Sequence, residues 1–226
     1  MLAEDSPAWR TFVLMRHRAA ALGLLVLVVS TSGCITGKRP SVVNDPFPVG
    51  SSSGDPAIDQ VLAELDRNNV GPYTADYTVL TKFGNITRPA SVAVDHGRRS
   101  VTVGSVRFLT INNASQTCAL DASNPCSTSL DPARISDTQI TPDFYAIDAA
   151  KRLRRDATSR IATPISHVES IAGRSATCVD VPLTGGTSIF CVLKGGPLAR
   201  LDDAAVAIDL TQFAPAADES LFATTR

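Results

Sequence analysis

The chain has 226 residues and a mass of 23.8 kDa, the length of one domain with appendages. It is 44% hydrophobic and 19% charged, apolar enough to build a core, which excludes a wholly disordered chain. Its 21 Lys and Arg are balanced by 22 Asp and Glu, and aromatics are only 5%, which argues against a nucleic-acid binder or a stacking platform for bases or sugars.

The N-terminus sets the expected compartment. Residues 1–14 read as an extension, because Glu4 and Asp5 suit a signal n-region poorly and Met15 makes the better start. Arg16, His17 and Arg18 then precede an apolar run, Ala19 to Val29, followed by small residues and Cys34. This is the order of a secretory signal peptide. The run is shorter than the roughly 20 residues a spanning helix needs. Cys34 after Thr31-Ser32-Gly33 resembles a bacterial lipobox, with Thr31 where Leu is usual. On this reading residues 15–33 are a lipoprotein signal peptide and Cys34 becomes a diacylglyceryl N-terminus. The domain is then tethered to the extracytoplasmic face of the cell membrane by acyl chains, palmitate among them. A plain signal peptide with an incidental Cys is the alternative. Near-neutral charge leaves the anchoring to the acyl chains, at about 0.8 kcal/mol per buried CH2.

Residues 34–54 are rich in Pro, Gly and Ser and read as a flexible linker. Asp55-Pro56 opens a helix whose apolar face is Ile58, Val61, Leu62 and Leu65, ending at Gly71-Pro72. Tyr73 to Phe83 alternates, with Tyr73, Ala75, Tyr77, Val79 and Phe83 on one face, expected to be buried. Strands Ala90–Asp95, Ser100–Val103 and Ser105–Thr110 follow, joined by Gly-containing turns into a four-strand antiparallel meander. Leu130 to Thr141 reads as a loop. A helix runs from about Thr141 to Arg160, with Lys151, Arg152, Arg154 and Arg155 on its polar face. The plain reading of that run is a solvated face; the functional one is a contact for anionic headgroups. Strands resume at His167–Ile171, Arg174–Val181, Ser188–Leu193 and Ala205–Phe213. The expected fold is α+β: a curved antiparallel sheet of about eight or nine strands or more, with helices over its concave face, in a single domain from 55 to 226.

Four cysteines remain after Cys34, consistent with two disulfides in an oxidising compartment, though four allow three connectivities. A turn centred between Thr184 and Gly185 sets Cys178 opposite Cys191 across a hairpin, within disulfide reach. Cys118 and Cys126 bracket a short polar loop and pair locally. The Cys spacing lacks Cys-x-x-Cys and the domain has only His96 and His167, so no metal or other cofactor is expected. His96 lies in a turn and His167 opens a strand. No nucleophile elbow, zincin helix or phosphate loop is present, and the pairs Asp202-Asp203 and Asp218-Glu219 sit in loop-like segments. No enzyme is expected. What remains is an aliphatic sheet face. Tyr77, Val79, Val92, Val94, Val101, Val103, Val106 and Phe108 either line a cavity fit for acyl chains or pack a dry core.

The layout of signal peptide, lipobox, linker, short helix and a Tyr73-x-Ala75-x-Tyr77 strand resembles actinobacterial envelope lipoproteins. These are similar in fold to the localisation factors LolA and LolB and the lipid carriers LprG and LppX. Ala172-Gly173-Arg174, Cys178-Val179-Asp180-Val181, Ile189-Phe190-Cys191 and Gly196-Pro197-Leu198 resemble the hairpin-rich second half of that fold. Asp218 to Phe222 resembles its closing segment. The resemblance implies a half-barrel with a pocket for lipid or lipoglycan and no catalytic residues; the Cys118–Cys126 loop is an addition to the pattern. The same fold serves stress sensors, so an envelope protein partner with no lipid is the competing expectation.

Overall fold

A computed structural model describes residues 46–67, 71–122 and 126–224. The signal peptide, Cys34 and the first part of the expected linker lie outside the described residues. Asp55 caps helix α1, Pro56–Leu65, accepting from the backbone N–H of Ala57 and Ile58. Ser52 and Ser53 of the expected linker are bonded to this helix. Ser53 donates through its backbone N–H to Asp59, and the hydroxyls of Ser52 and Ser53 do the same.

The strands form one eleven-stranded antiparallel sheet. They are β1 Tyr73–Thr81, β2 Ile86–Asp95, β3 Arg98–Val103, β4 Val106–Ile111, β5 Ala114–Ala119, β6 Cys126–Ser127, β7 Ile165–Ile171, β8 Arg174–Leu183, β9 Gly186–Leu193, β10 Leu198–Asp202 and β11 Val206–Ala214. Their order is β6-β5-β4-β3-β2-β1-β11-β10-β9-β8-β7. Each half is a meander, and the halves join where β1 meets β11, with Tyr77 opposite Leu210 and Val79 opposite Ile208. Among the described residues this sheet has three strands beyond the eight delimited from the sequence. The extra ones, β5, β6 and β10, are short or polar, and their alternation carries little sequence signal. Strand β1 also stops at Thr81, leaving Phe83 in the following turn and 87% exposed.

Two further helices correct the middle of the chain. Helix α2, Pro132–Thr138, occupies the expected loop; Asp131 caps it, with Pro132 at its start. The long helix begins later than expected, as α3, Ile147–Ser159. Ala146 at φ −145° and ψ −90° is not helical, so residues 141–146 make turns instead. Helices α1 and α3 contact each other and strands β8 and β9. Ile58, Val61, Leu62 and Leu65 of α1 share one buried cluster with Leu153 of α3 and Phe190 of β9.

The basic run is not a uniform solvated face. Arg154 is buried at 3% exposure; its guanidinium pairs with Asp66 and donates to the Ser51 carbonyl at 3.0 Å. Arg152 pairs with Asp148 and Asp203, both at 2.8 Å, while Arg155 keeps half its side chain in solvent. Burial works to raise the Asp203 pKa, but the N–H groups of Val206 and Ala205 and the Arg152 guanidinium bring it below the usual carboxylate value.

Removing one partner of a buried pair strands the other charge. Arg154→Ala is therefore expected to destabilise the domain by about 3–5 kcal/mol in urea unfolding. Arg155→Ala is expected to cost no more than about 1 kcal/mol. Equal effects would show that burial does not distinguish the two.

Candidate functional site

The expected lining residues share one sheet face. Cross-strand register sets Val92 opposite Ala75, Val94 opposite Tyr73, Val101 opposite Val92, Phe108 opposite Val101 and Val106 opposite Val103. All eight candidates are at most 6% exposed and belong to one core cluster. They are covered side chains rather than the walls of a solvent-open hollow.

The cover includes residues 128–146, which run across this face as a strap. Phe144 meets the Tyr77 ring edge-on, with centroids 5.3 Å apart, and also packs edge-to-face on Tyr145. Ile140, Phe144 and Tyr145 are all buried with the valines. Tyr77 donates its hydroxyl to the Leu198 carbonyl at 3.0 Å, and the Leu198 N–H donates to the Tyr145 carbonyl at 3.1 Å. Strap and sheet are thus joined through β10 as well as through rings. Burial raises the Tyr77 pKa far above its ordinary value, with Tyr145 and Asp76 adding to it, so the phenol stays a neutral donor.

Three polar residues rise from the same face to hold the strap. Arg88 lies opposite Val79, Arg99 opposite Val94 and Thr117 opposite Phe108, so alternation puts each among the aliphatic side chains. Arg99 pairs with Asp143. Burial alone would lower its pKa; the neighbouring Tyr145 and Asp143 raise it, so the guanidinium stays charged. Arg88 donates to the Asp137 carbonyl at 3.3 Å. The Thr117 hydroxyl donates to the Ser129 carbonyl at 3.1 Å and accepts from the Asp131 N–H at 2.9 Å. Sequence reading missed Arg88 and Arg99 because it began β2 at Ala90 and β3 at Ser100. A charged residue in phase with the apolar positions of a strand was the available signal.

Both disulfides pair as expected, Cys118 with Cys126 and Cys178 with Cys191, each directly opposite in register. By register both lie on the face opposite the valines, the second in the cross-strand row Asp209, Arg200, Cys191, Cys178, His167. Among the described residues, His167, Glu169, Cys178 and Cys191 bring ligand atoms within 4.8 Å of one another. With the two sulfurs bonded to each other, that group offers an ion only an imidazole and a carboxylate. His96 sits in its turn, largely exposed. The acidic pairs have structural partners: Asp202 with Lys82, Asp203 with Arg152, Glu219 with Arg98, while Asp218 caps the 3-10 turn Glu219–Phe222. A surface pocket of about 200 Å³ lies by α3, lined by Phe47, Asp148, Lys151, Arg152 and Arg155, away from the valines.

No family model and no curated protein matches the chain. Among solved structures it is similar to MucB, with a TM-score of 0.48 and 14% identity over 75% of this chain and 63% of that one. It is also similar to a chain of the Pseudomonas aeruginosa MucA/MucB complex, at 0.46 and 12% over 74% of this chain and 60% of that one. A DUF1329 family protein from Desulfovibrio piger matches at 0.31 and 9%, over 75% of this chain and 98% of that one. The chain spans about three fifths of the length of the MucB chains.

Losing a rim anchor should loosen the strap before the sheet. In Arg99→Ala, amide exchange across residues 140–146 is expected to speed up by roughly tenfold or more, the equivalent of about 1.4 kcal/mol. Exchange in β8 and β9 should stay unchanged. Unaltered exchange in 140–146 would remove Arg99 as an anchor.

Proposed function

We propose that this is an exported, membrane-anchored, non-catalytic binding protein that takes an acyl chain of a lipid or lipoglycan onto its valine face. In this reading the sheet is a half-barrel, the valine face is its concave side, and the strap is the cover that moves to admit the ligand. The observation that carries it is the chemistry of the covered face. Seven of the eight residues singled out there are hydrocarbon, and the eighth, Tyr77, keeps its hydroxyl engaged. Such a surface suits acyl chains, and the polar residues of the same face, Arg88, Arg99 and Thr117, are engaged by the strap. The strap is fastened in part by polar contacts of Arg88, Arg99 and Thr117, while Ile140, Phe144 and Tyr145 lay apolar surface on the face that an acyl chain would replace. The structure has the strap closed, so admission of a chain requires it to swing away.

Export and anchoring rest on the sequence from Met15 to Cys34, and the two disulfides, which persist in oxidising compartments, support export alone. The second reading is a packed envelope module that recognises a protein partner and carries no lipid. The burial of all eight face residues favours it.

Native mass spectrometry of protein extracted from its own membranes separates the two. The first reading predicts added masses of acyl lipids, released when the protein is denatured. Ligand-free protein throughout would leave the packed module. For the anchor, the mature N-terminus is expected at Cys34 with a diacylglyceryl mass, and Cys34→Ala should shift the protein from the membrane to the soluble fraction. An unmodified Cys34 would refute the lipid anchor while leaving the valine face untouched.

A further inference from the structure

The two edges of the sheet are finished differently. One ends in β6, two residues long and cross-linked to β5 through Cys118–Cys126. The other ends in β7, seven residues paired with β8 in unbroken register and carrying no Pro, Lys or bulge. Edge strands ordinarily have such devices because free N–H and C=O groups recruit another strand. Around β7 three large apolar side chains are exposed, Ile161 at 64%, Ile165 at 62% and Val168 at 71%, beside the exposed Ser166, His167 and Ser170.

The backbone of β7 fixes which of its groups are free. Ala172 at φ +48° and Gly173 at φ +70° form the two-residue loop to β8, closing on the pair Ile171 and Arg174. Both loop residues are left-handed, as a type I′ turn requires, and such a loop closes on a hydrogen-bonded pair. Ile171, Glu169, His167 and Ile165 therefore direct their backbone groups to β8. Ser170, Val168 and Ser166 direct theirs outward, along an edge of about 24 Å.

The sequence of this edge is self-complementary. It reads Ile165-Ser166-His167-Val168-Glu169-Ser170-Ile171, the same in both directions except that His and Glu exchange places. We propose that β7 pairs antiparallel with β7 of a second copy about a two-fold axis at Val168, forming a dimer with one continuous sheet. In that register Ile165 meets Ile171 of the second copy, Ser166 meets Ser170, and Val168 meets Val168. His167 meets Glu169, twice. The outward groups of Ser166, Val168 and Ser170 then lie in hydrogen-bonded pairs, each exchanging both N–H···O bonds. A two-fold interface needs a patch that matches itself, and this strand does so in backbone, apolar contact and charge. Glu169 already accepts from Arg200 at 2.7 Å, so it reaches the interface held in place. The alternative occupant, an extended segment of another protein, would gain the backbone bonds but has no need of the inverted His and Glu.

The test uses the full chain with Cys34→Ser, so that an added thiol is the single unpaired one. Sedimentation equilibrium is expected to give about twice the 23.8 kDa monomer mass at micromolar concentration. Val168→Pro, which deletes the central donor, and Val168→Lys, which sets two charges against each other, should each raise the dimer dissociation constant tenfold or more. Register is read by oxidation. Val168→Cys should cross-link to itself, Ser166→Cys alone should not, and an equal mixture of Ser166→Cys with Ser170→Cys should. Circular dichroism confirms that each variant is folded, and the cysteine series stands if the proline variant is not. A monomer at all concentrations overturns the proposal, including a monomer that captures another protein's strand. So does a dimer indifferent to Val168, or cross-linking of Ser166→Cys with itself.

Discussion

The organising constraint is the need to keep an aliphatic sheet face away from water. A single-layer antiparallel sheet has two faces, and here one of them carries Val79, Val92, Val94, Val101, Val103, Val106 and Phe108. Two helices meet the sheet at β8 and β9. The strap from 128 to 146 lies over the other half. That division explains why the strap contains rings at Phe144 and Tyr145, and why the sheet offers Arg88, Arg99 and Thr117 to hold it. A face covered only by hydrocarbon would close without registration. Polar anchors fix where the strap lies and leave its fastening open to exchange with water.

Charge is used throughout to position covers. Arg154, deep between α1 and α3, ties Asp66 to the Ser51 carbonyl. Arg152 joins α3 to Asp203 in the turn before β11. Arg98 and Arg99, adjacent in sequence, point to opposite faces of β3: one pairs with Glu219 near the C-terminus, the other with the strap at Asp143. Each segment packed on the sheet is therefore held by at least one arginine, whose planar donors stay charged when half buried. The acidic residues that resemble catalytic pairs in the sequence are taken up by these ties and by helix caps.

The two sheet edges complete the picture. Cys118–Cys126 ties the two-residue strand β6 to β5 at one edge. The other edge keeps its backbone groups exposed in a strand that is complementary to itself. A carrier and a dimer are compatible, because the strap's polar anchors are on β2, β3 and β5 and none is on the edge strand β7.

What the sequence determined by itself was local. Asp55-Pro56 and the Ile58, Val61, Leu62, Leu65 spacing defined α1, and the hairpin at Thr184-Gly185 placed Cys178 opposite Cys191 without any tertiary information. Alternation identified the valine face, since side chains two apart must share a side. Only the tertiary structure decided that β1 pairs with β11, that residues 128–146 fold back as a strap, and that Arg154 is buried while Arg155 is not. These depend on which distant segments meet. The energy of such meetings comes from apolar area and ion pairs spread across the chain, not from the preferences of any one stretch.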